Sequence, residues 1–373
     1  MITRRLLTRW LRGAVLPLFG SLLLLGCQPA RVSGGNSGTD APPTGTPAAE
    51  GTLQVSFLDV GQGDAALVRA PDGTAVVIDG GPPDAGPAVI GALKEAGVEK
   101  VEWMVGSHPH SDHIGGLVDL LREVPVAQAL DPGYNHGTSL QRTYVKLLQE
   151  KKVRVTRARA GQTYDWGGAR FEILAPEEPL IKGTRSDANN NSIVGRLVFG
   201  KARFLFTGDM EEAERARLLK SVRPEQLRSD VLKVAHHGSH NGTDPAFLQA
   251  VKPDYAVVSL KKGNEYGHPH REALDALSAA GVKILRTDQL GTITFTSDGT
   301  SVVLKQTTRP LPTGSQASES TPEFKGRVIG NTSSKVYHAP DCESIPRPER
   351  RVEMESAAAA EKAGYRKHGK CIR

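Results

Sequence analysis

Four side chains able to bind a metal fall within six residues, in the run His108-Pro109-His110-Ser111-Asp112-His113. The apolar stretch Val101–Gly106 leads directly into it, and Gly115-Gly116 and a helical stretch at Leu117–Arg122 follow. A lone histidine is ordinarily a structural or exposed residue. Four ligand-type residues delivered together by a strand define a metal site: a loop between strand and helix sets His108 and His110 on one side of a cation and Asp112 and His113 on the other. Imidazole with carboxylate suits Zn²⁺, and also Mn²⁺ or Fe. The chain must therefore bring a strand into the site and lead a helix out of it, an α/β arrangement.

The surrounding sequence agrees. Strands are predicted at Leu53–Leu58, Ala66–Arg69 and Ala75–Asp79, the last two joined through Asp72-Gly73, and a helix over Pro87–Ala96 stops at Gly97. Further on, Ile193–Phe199 and Ala202–Phe206 read as a hairpin through Gly200-Lys201. Helices then alternate with the strands Val231–Val234 and Tyr255–Ser259, and a helix is predicted at Arg271–Ala280. Early hairpins and later strand–helix alternation predict mixed sheets with helices outside.

The 373 residues allow one large domain with appendages. The expected boundaries are a signal peptide over 1–26, a Ser-, Gly-, Thr- and Pro-rich tether over 27–51, a catalytic body over 52–306, a polar linker over 307–323 and a small module over 324–373. The apolar stretch Ala14–Leu25 is short and interrupted by Pro17, a poor membrane span. Leu24-Leu25-Gly26-Cys27 resembles the bacterial lipobox, which implies a diacylated Cys27 and an extracytoplasmic, lipid-anchored protein of the bacterial envelope. The formal charge of +6 includes Arg4, Arg5, Arg9 and Arg12, so loss of residues 1–26 leaves +2, a weak footprint for a polyanion partner.

The H-x-H-x-D-H run resembles the signature of the metallo-β-lactamase superfamily, and Phe204-Leu205-Phe206-Thr207-Gly208-Asp209 resembles the strand that ends in its metal-bridging aspartate. The resemblance implies an αββα four-layer sandwich with one or two divalent metals, Zn or Mn, held by His108, His110, Asp112, His113 and Asp209. Leu58-Asp59-Val60-Gly61-Gln62-Gly63-Asp64-Ala65, Ile78-Asp79-Gly80-Gly81, Asn190-Asn191-Ser192, Lys233-Val234-Ala235-His236-His237-Gly238-Ser239 and Tyr266-Gly267-His268-Pro269-His270 are similar to the hydrolase domain of ComEC-type competence proteins and their free-standing relatives.

The late histidine ligand is assigned to His236, with His237 as the fallback and otherwise a group that hydrogen-bonds a ligand or the substrate. Where many superfamily members supply a further histidine, this chain has the polar run Asp187–Ser192. Asp112 would also orient or deprotonate the attacking water. His268 and His270 either reach the substrate, to protonate a leaving group, or are exposed at a helix entry. Asp59, Asp64 and Asp79 read as carboxylates that orient ligating imidazoles.

The chemistry implied is hydrolysis by a metal-activated water. A phosphodiesterase or nuclease with DNA as partner leads. A hydrolase of a small ester, lactam or phosphocholine-type substrate is the alternative, since fold does not fix substrate. A non-catalytic binding lipoprotein is the reading from another class. Lys233, Arg203, Lys261 and Lys262 read as solvated surface charges within reach of phosphates. The sequence leaves the oligomeric state open.

Beyond Cys27 the remaining cysteines are Cys342 and Cys371. His338-x3-Cys342 and His368-x2-Cys371 have the layout of a structural zinc site, and the two thiols alone would serve as a disulfide. The surrounding sequence, including Val328-Ile329-Gly330-Asn331, resembles the small Ada-type metal-binding module, with His368 in place of one cysteine of that module.

Overall fold

A computed structural model describes residues 51–309, 327–338, 340 and 346–367. The expectations for residues 1–50, including Cys27, for the linker beyond Arg309 and for Cys342, His368 and Cys371 lie outside the described residues.

Two mixed sheets are built from consecutive halves of the chain. The first takes β1 (Leu53–Phe57), β2 (Ala65–Arg69), β3 (Ala75–Gly80), β4 (Val101–Val105), β5 (Val126–Asp131) and β6 (Arg154–Arg157). The second takes β7 (Thr163–Trp166), β8 (Ala169–Ala175), β9 (Val194–Phe199), β10 (Ala202–Phe206), β11 (Val231–Lys233), β12 (Tyr255–Val258) and β13 (Lys283–Arg286). The chain then returns with β14 (Ile293–Ser297) and β15 (Val302–Thr307) to the open edge of the first sheet, whose order becomes β15-β14-β1-β2-β3-β4-β5-β6. In each sheet, hairpin strands pair antiparallel, and strands that alternate with helices pair parallel from β3 to β6 and from β10 to β13.

Side-chain alternation explains the layering. In β10, Phe204 and Phe206 point into the core between the sheets, while Leu205 points out beneath the helices. In β3, Val76 and Ile78 face the inner core and Val77 faces outward. Both faces of these strands are covered, so they read as apolar runs and not as apolar–polar alternation. A register slip of one residue would exchange the two faces.

The helices α1 (Gly86–Glu95), α2 (Ser111–Glu123) and α3 (Ser139–Glu150) cover the first sheet through Leu93, Leu117, Leu120 and Tyr144. The second sheet is covered by α4 (Glu212–Ser221), α5 (Pro224–Leu227), α6 (Pro245–Val251) and α7 (Arg271–Ala279) through Leu218, Leu227, Phe247 and Leu277. The result is the expected αββα sandwich. A side chain such as Phe247, 1% exposed, contributes about 1.5–3 kcal/mol by its burial.

Two local features differ from expectation. The strand β7 was not foreseen, because Thr-Tyr-Asp-Trp alternates polar and aromatic residues with three of its four positions not buried. More consequential, α2 begins at Ser111, so Asp112 and His113 lie in its first turn and not on a loop. The His110 carbonyl accepts the His113 and Ile114 amides at 3.2 and 3.0 Å. Gly115 and Gly116 allow this close seating. A Cβ on Gly116 would meet the Gly80 carbonyl oxygen at 2.1 Å, and one on Gly115 would meet the Pro83 nitrogen at 2.4 Å.

Residues 327–338 and 346–367 contribute a separate four-stranded sheet of Val328–Asn331, Val336–His338, Arg351–Met354 and Arg366–Lys367, with a helix at Ala357–Lys362. Its small core joins Val328, Tyr337, Ala360 and Tyr365. His338 is buried on the second of these strands.

Candidate metal centre

The ends of several strands converge at one rim of the sandwich. From the first sheet, β3 ends near Asp79, β4 leads into Ser107 and His108, and α2 supplies Asp112 and His113. From the second sheet, β10 leads into Asp209, β11 into His236 and His237, and β12 into Ser259. The two halves are sewn together by Ile193 N–H to Ser107 C=O at 2.9 Å, while the Asp64 amide bonds the Asp112 carbonyl at 3.1 Å.

Two ligand-capable groups share Asp209. One consists of Asp112, His113, Asp209 and His237, and the other of His108, His110 and Asp209. Within each, one ligand atom per residue lies within 4.8 Å of all the others. The two carboxylate oxygens divide the work. Oδ1 lies 3.1 Å from His113 Nε2 and 3.5 Å from His237 Nε2, and Oδ2 lies 3.7 Å from His108 Nε2. His237 Nε2 is also 3.3 Å from Asp112 Oδ2.

His113 Nε2, His237 Nε2 and Asp209 Oδ1 are buried and yet make no hydrogen bond of acceptable geometry. Buried polar atoms are normally satisfied, so three such atoms facing a common point fit a divalent cation.

The far nitrogens are fixed in turn. His113 Nδ1 bonds Asp79 Oδ2 at 2.9 Å, and Asp79 accepts from the Ser107 amide and hydroxyl, each at 2.7 Å. His237 Nδ1 donates to the Ser259 carbonyl at 2.9 Å and stands 3.2 Å from Asp64 Oδ1. A carbonyl can only accept, so His237 carries a proton on Nδ1, and Nε2 is the atom turned toward Asp112 and Asp209. Asp79, His236 and His237 hold φ of 57°, 51° and 53°. The left-handed region is uncommon for such residues, and each costs about 1–3 kcal/mol that the surrounding packing must offset.

The electrostatics show an excess of negative charge looking for a cation. Burial works against the charge on His237, but Asp209 and Asp64 outweigh it and push His237 up to about 10. Burial likewise opposes charge on His113, yet Asp209 and Asp79 raise it well above the usual imidazole range. On the other side, burial and then His113 hold His108 well below that range. Burial raises Asp209, but His113, His237 and His236 pull it well below the carboxylate range.

Among the residues singled out from sequence, His108, His110, Asp112, His113 and Asp209 are thus brought together, and His237 joins them. His236 stands apart from both groups. Its Nε2 is 3.9 Å from Asp209 Oδ2, and its Nδ1 faces Asn241 Oδ1 at 3.1 Å and Glu211 Oε1 at 3.4 Å. The geometry therefore favours the fallback over the first choice, because consecutive left-handed residues turn the second imidazole inward.

His268 lies over the pair, its ring 5.6 Å from His236 and 6.3 Å from His237. Burial, then the charges of His237 and His270, push it down to about 3. At neutral pH that makes it an uncharged hydrogen-bonding group. His270 is turned to the loop instead, accepting the His240 amide on Nδ1 at 3.0 Å.

Asp79 hydrogen-bonds an imidazole, that of His113; Asp64 stands 3.2 Å from His237 Nδ1 with Oδ1 making no hydrogen bond, and Asp59 faces no imidazole, its carboxylate bonding Arg309 at 2.7 Å on the surface. Lys233 is also corrected. It is no solvated charge but a buried ammonium 2.7 Å from Asp64 Oδ2 and 2.8 Å from the Val234 carbonyl.

The run Asp187–Ser192 supplies support and places no atom in either ligand group. Ser192 Oγ accepts the Asp209 amide at 3.2 Å, and Asn189 bonds Glu211 at 2.9 Å. His136, not foreseen, packs its ring 4.9 Å from that of His110. Nothing in its loop, Gly133-Tyr134-Asn135-His136-Gly137, separates it from an ordinary exposed histidine.

A sandwich whose rim carries two ligand groups joined by one aspartate is the architecture of a metal-dependent hydrolase, and the chain belongs to the metallo-beta-lactamase superfamily, whose family description matches residues 58–261. Within the superfamily it is similar to the ComE operon protein 3 of Bacillus subtilis (strain 168), with 30% identity over 259 residues, 65% of this chain and 33% of that protein. It is also similar to the Competence protein ComA of Neisseria gonorrhoeae, with 33% identity over 246 residues, 66% of this chain and 32% of that protein. The chain thus spans about a third of the length of the curated relatives it matches. Among solved structures it is similar to CmlA, a diiron beta-hydroxylase from Streptomyces venezuelae, with 13% identity and a TM-score of 0.44 over 70% of this chain and 55% of that one.

Proposed function

We propose that the chain is a phosphodiesterase, of the nuclease type, that hydrolyses nucleic-acid backbone at the bacterial cell envelope. The observation that carries the reading is Asp209, whose two oxygens join a four-residue and a three-residue ligand group. Such a pair of positions suits in-line displacement at phosphorus, where the attacking and leaving oxygens both need stabilisation. The resemblance to a Competence protein supports a nucleic-acid substrate. The assigned ligands are His108, His110, Asp112, His113, Asp209 and His237.

A divalent metal held there, Zn or Mn, would supply an activated water and Lewis acidity. The protein does the rest. Asp79 and Ser259 hold the His113 and His237 rings so that their Nε2 lone pairs face inward. Asp112, at the open side of the four-residue group, accepts a proton from or orients the attacking water. His268, uncharged, hydrogen-bonds a phosphoryl oxygen or the departing group.

In the same reading Cys27 carries lipid, residues 27–51 are a tether, 52–306 the hydrolase, 307–323 a linker and 324–373 a module stapled either by His338, Cys342, His368 and Cys371 around zinc or by a disulfide between Cys342 and Cys371. Among the described residues no helix is long and apolar enough to cross a membrane. Thiol titration of the denatured, non-reduced chain with chelator tests the staple, since two free thiols fit zinc and none fits a disulfide.

The function is tested with metal-loaded protein on single- and double-stranded DNA, bis-p-nitrophenyl phosphate and nitrocefin, alongside metal analysis of Asp209→Ala. Phosphodiester cleavage in the wild type, with metal and activity lost together in the variant, is expected. Turnover of nitrocefin alone would overturn the substrate class, and undiminished metal in Asp209→Ala would overturn the shared-ligand assignment.

A further inference from the structure

The loop between β12 and α7 carries an aromatic shelf that leads outward from the metal centre. Tyr266 is 58% exposed, and among the described residues it is the single aromatic in the set of large exposed hydrophobic side chains, beside three valines. Its ring stacks on His268 at 5.6 Å between centroids and 25° between planes. The His268 ring in turn sits 6.3 Å from that of His237, a member of the four-residue ligand group. The order from inside to outside is ligand imidazole, uncharged imidazole, exposed phenol. His268 Nδ1 is buried and makes no hydrogen bond, so the shelf has an unsatisfied polar atom at its inner end.

The shelf is held in place. Lys261 N–H bonds Gln62 Oε1 at 3.2 Å at the start of the loop. Asn264 accepts the His268 amide at 3.0 Å across it and donates to the His268 carbonyl at 2.7 Å, and the His270 amide bonds the Gly238 carbonyl at 2.8 Å at the far end. Lys261 and Lys262 are exposed beside it, with Glu265 as the one opposing charge between them and Tyr266. An exposed tyrosine in a tied-down loop presents a flat apolar surface at little conformational cost.

We propose that Tyr266 is a stacking subsite for a nucleobase of a single-stranded polynucleotide whose phosphodiester lies at the metal centre, with Lys261 and Lys262 meeting the flanking phosphates. The inference rests on the phosphodiesterase reading and narrows it to single strands and strand ends. A base within a duplex has no free face to offer and must first be unstacked. Aromatic stacking tolerates any base, so the subsite selects strandedness and not sequence.

The test compares the full-length, metal-loaded protein on a single-stranded oligonucleotide and on one of the same length that is abasic at the nucleotides flanking the scissile bond. In the wild type KM for the abasic strand is expected to be at least about fivefold higher, the lower end of what base stacking on an aromatic provides. Tyr266→Ala brings this ratio close to one, and Tyr266→Phe, which keeps the ring, preserves it.

A second readout does not depend on turnover: fluorescence of a 2-aminopurine next to the scissile position falls on binding to wild type and to Tyr266→Phe, but not to Tyr266→Ala. Equal KM for the two strands in the wild type, an unchanged ratio in Tyr266→Ala, or loss of the ratio in Tyr266→Phe would each overturn the stacking subsite while leaving the phosphodiesterase reading intact. A wild-type enzyme that cleaves no phosphodiester at all would overturn that reading, and the subsite with it.

Discussion

Replacing Lys233 by methionine keeps most of the side-chain volume and removes one buried charge. The ammonium is 4% exposed and makes two contacts, with Asp64 Oδ2 at 2.7 Å and the Val234 carbonyl at 2.8 Å, so bulk solvent does not reach the charge left behind. Asp64 is itself 7% exposed in its side chain, and burial is the largest influence on it; Lys233, followed by His237 and His113, is what keeps its carboxyl below the usual range.

Breaking a buried ion pair from one side costs about 3–5 kcal/mol. At about 2–4 °C per kcal/mol for a domain of this size, the melting temperature of Lys233→Met should fall by about 6–20 °C. The double variant Lys233→Met/Asp64→Asn removes both charges and should be more stable than the sum of the single losses implies, by a coupling of about 1–3 kcal/mol. Denaturant unfolding of metal-free wild type, both single variants and the double variant measures the whole cycle. A loss under about 1 kcal/mol in Lys233→Met, or strict additivity in the double variant, would refute the view of Lys233 as the internal counter-ion of the site.

Two further outcomes follow from the same geometry. Metal analysis of His237→Ala should show loss of metal from the four-residue group, while His236→Ala keeps the wild-type stoichiometry; the reverse ranking would return the ligand role to His236. Glu214 is buried in α4, and burial raises its carboxyl well above the usual carboxylate range, opposed first by the Ser192 amide and then by Arg217. In the unfolded chain it ionises near pH 4.5, so wild type loses stability as pH rises from there toward the folded-state value. Glu214→Gln abolishes that loss, and its advantage in melting temperature over wild type should be larger at pH 8 than at pH 5; an advantage independent of pH would show that Glu214 is not held neutral.

Much of the fold could be read in advance because the central strands carry their own signature: Val76-Val77-Ile78 and Phe204-Leu205-Phe206 are apolar on both faces, as strands beneath helices must be. The ligand-capable residues near His108 were legible because they are contiguous, and Asp209 because an apolar strand delivers it. What escaped depends on conformation and not on composition. Ser111, Gly115 and Gly116 are weak helix formers, so the start of α2 inside the histidine run left no propensity signal.

The choice between His236 and His237 turns on two left-handed φ angles that no residue type there announces. Asp59 and Asp64 flank the same glycine-rich turn, and only the structure shows one facing inward and the other paired with Arg309. Lys233 could have been caught: a lysine inside Val231-Leu232-Lys233-Val234 sits where a covered strand tolerates charge only with a partner.

The division of ligands between the two halves of the chain has a mechanical consequence. Of the ligand-capable residues, His108, His110, Asp112 and His113 come from the first sheet and its helix, whereas Asp209 and His237 come from the second, so a cation held by them would act as a rivet through the seam of the sandwich. Prising the halves apart and releasing the ion are then one event, and the free energy of binding adds directly to the adhesion between layers. A cavity cut in the core between the sheets, at Phe295 for example, should therefore be felt as a faster leak of metal, and a chelator should lower the temperature at which the two halves part.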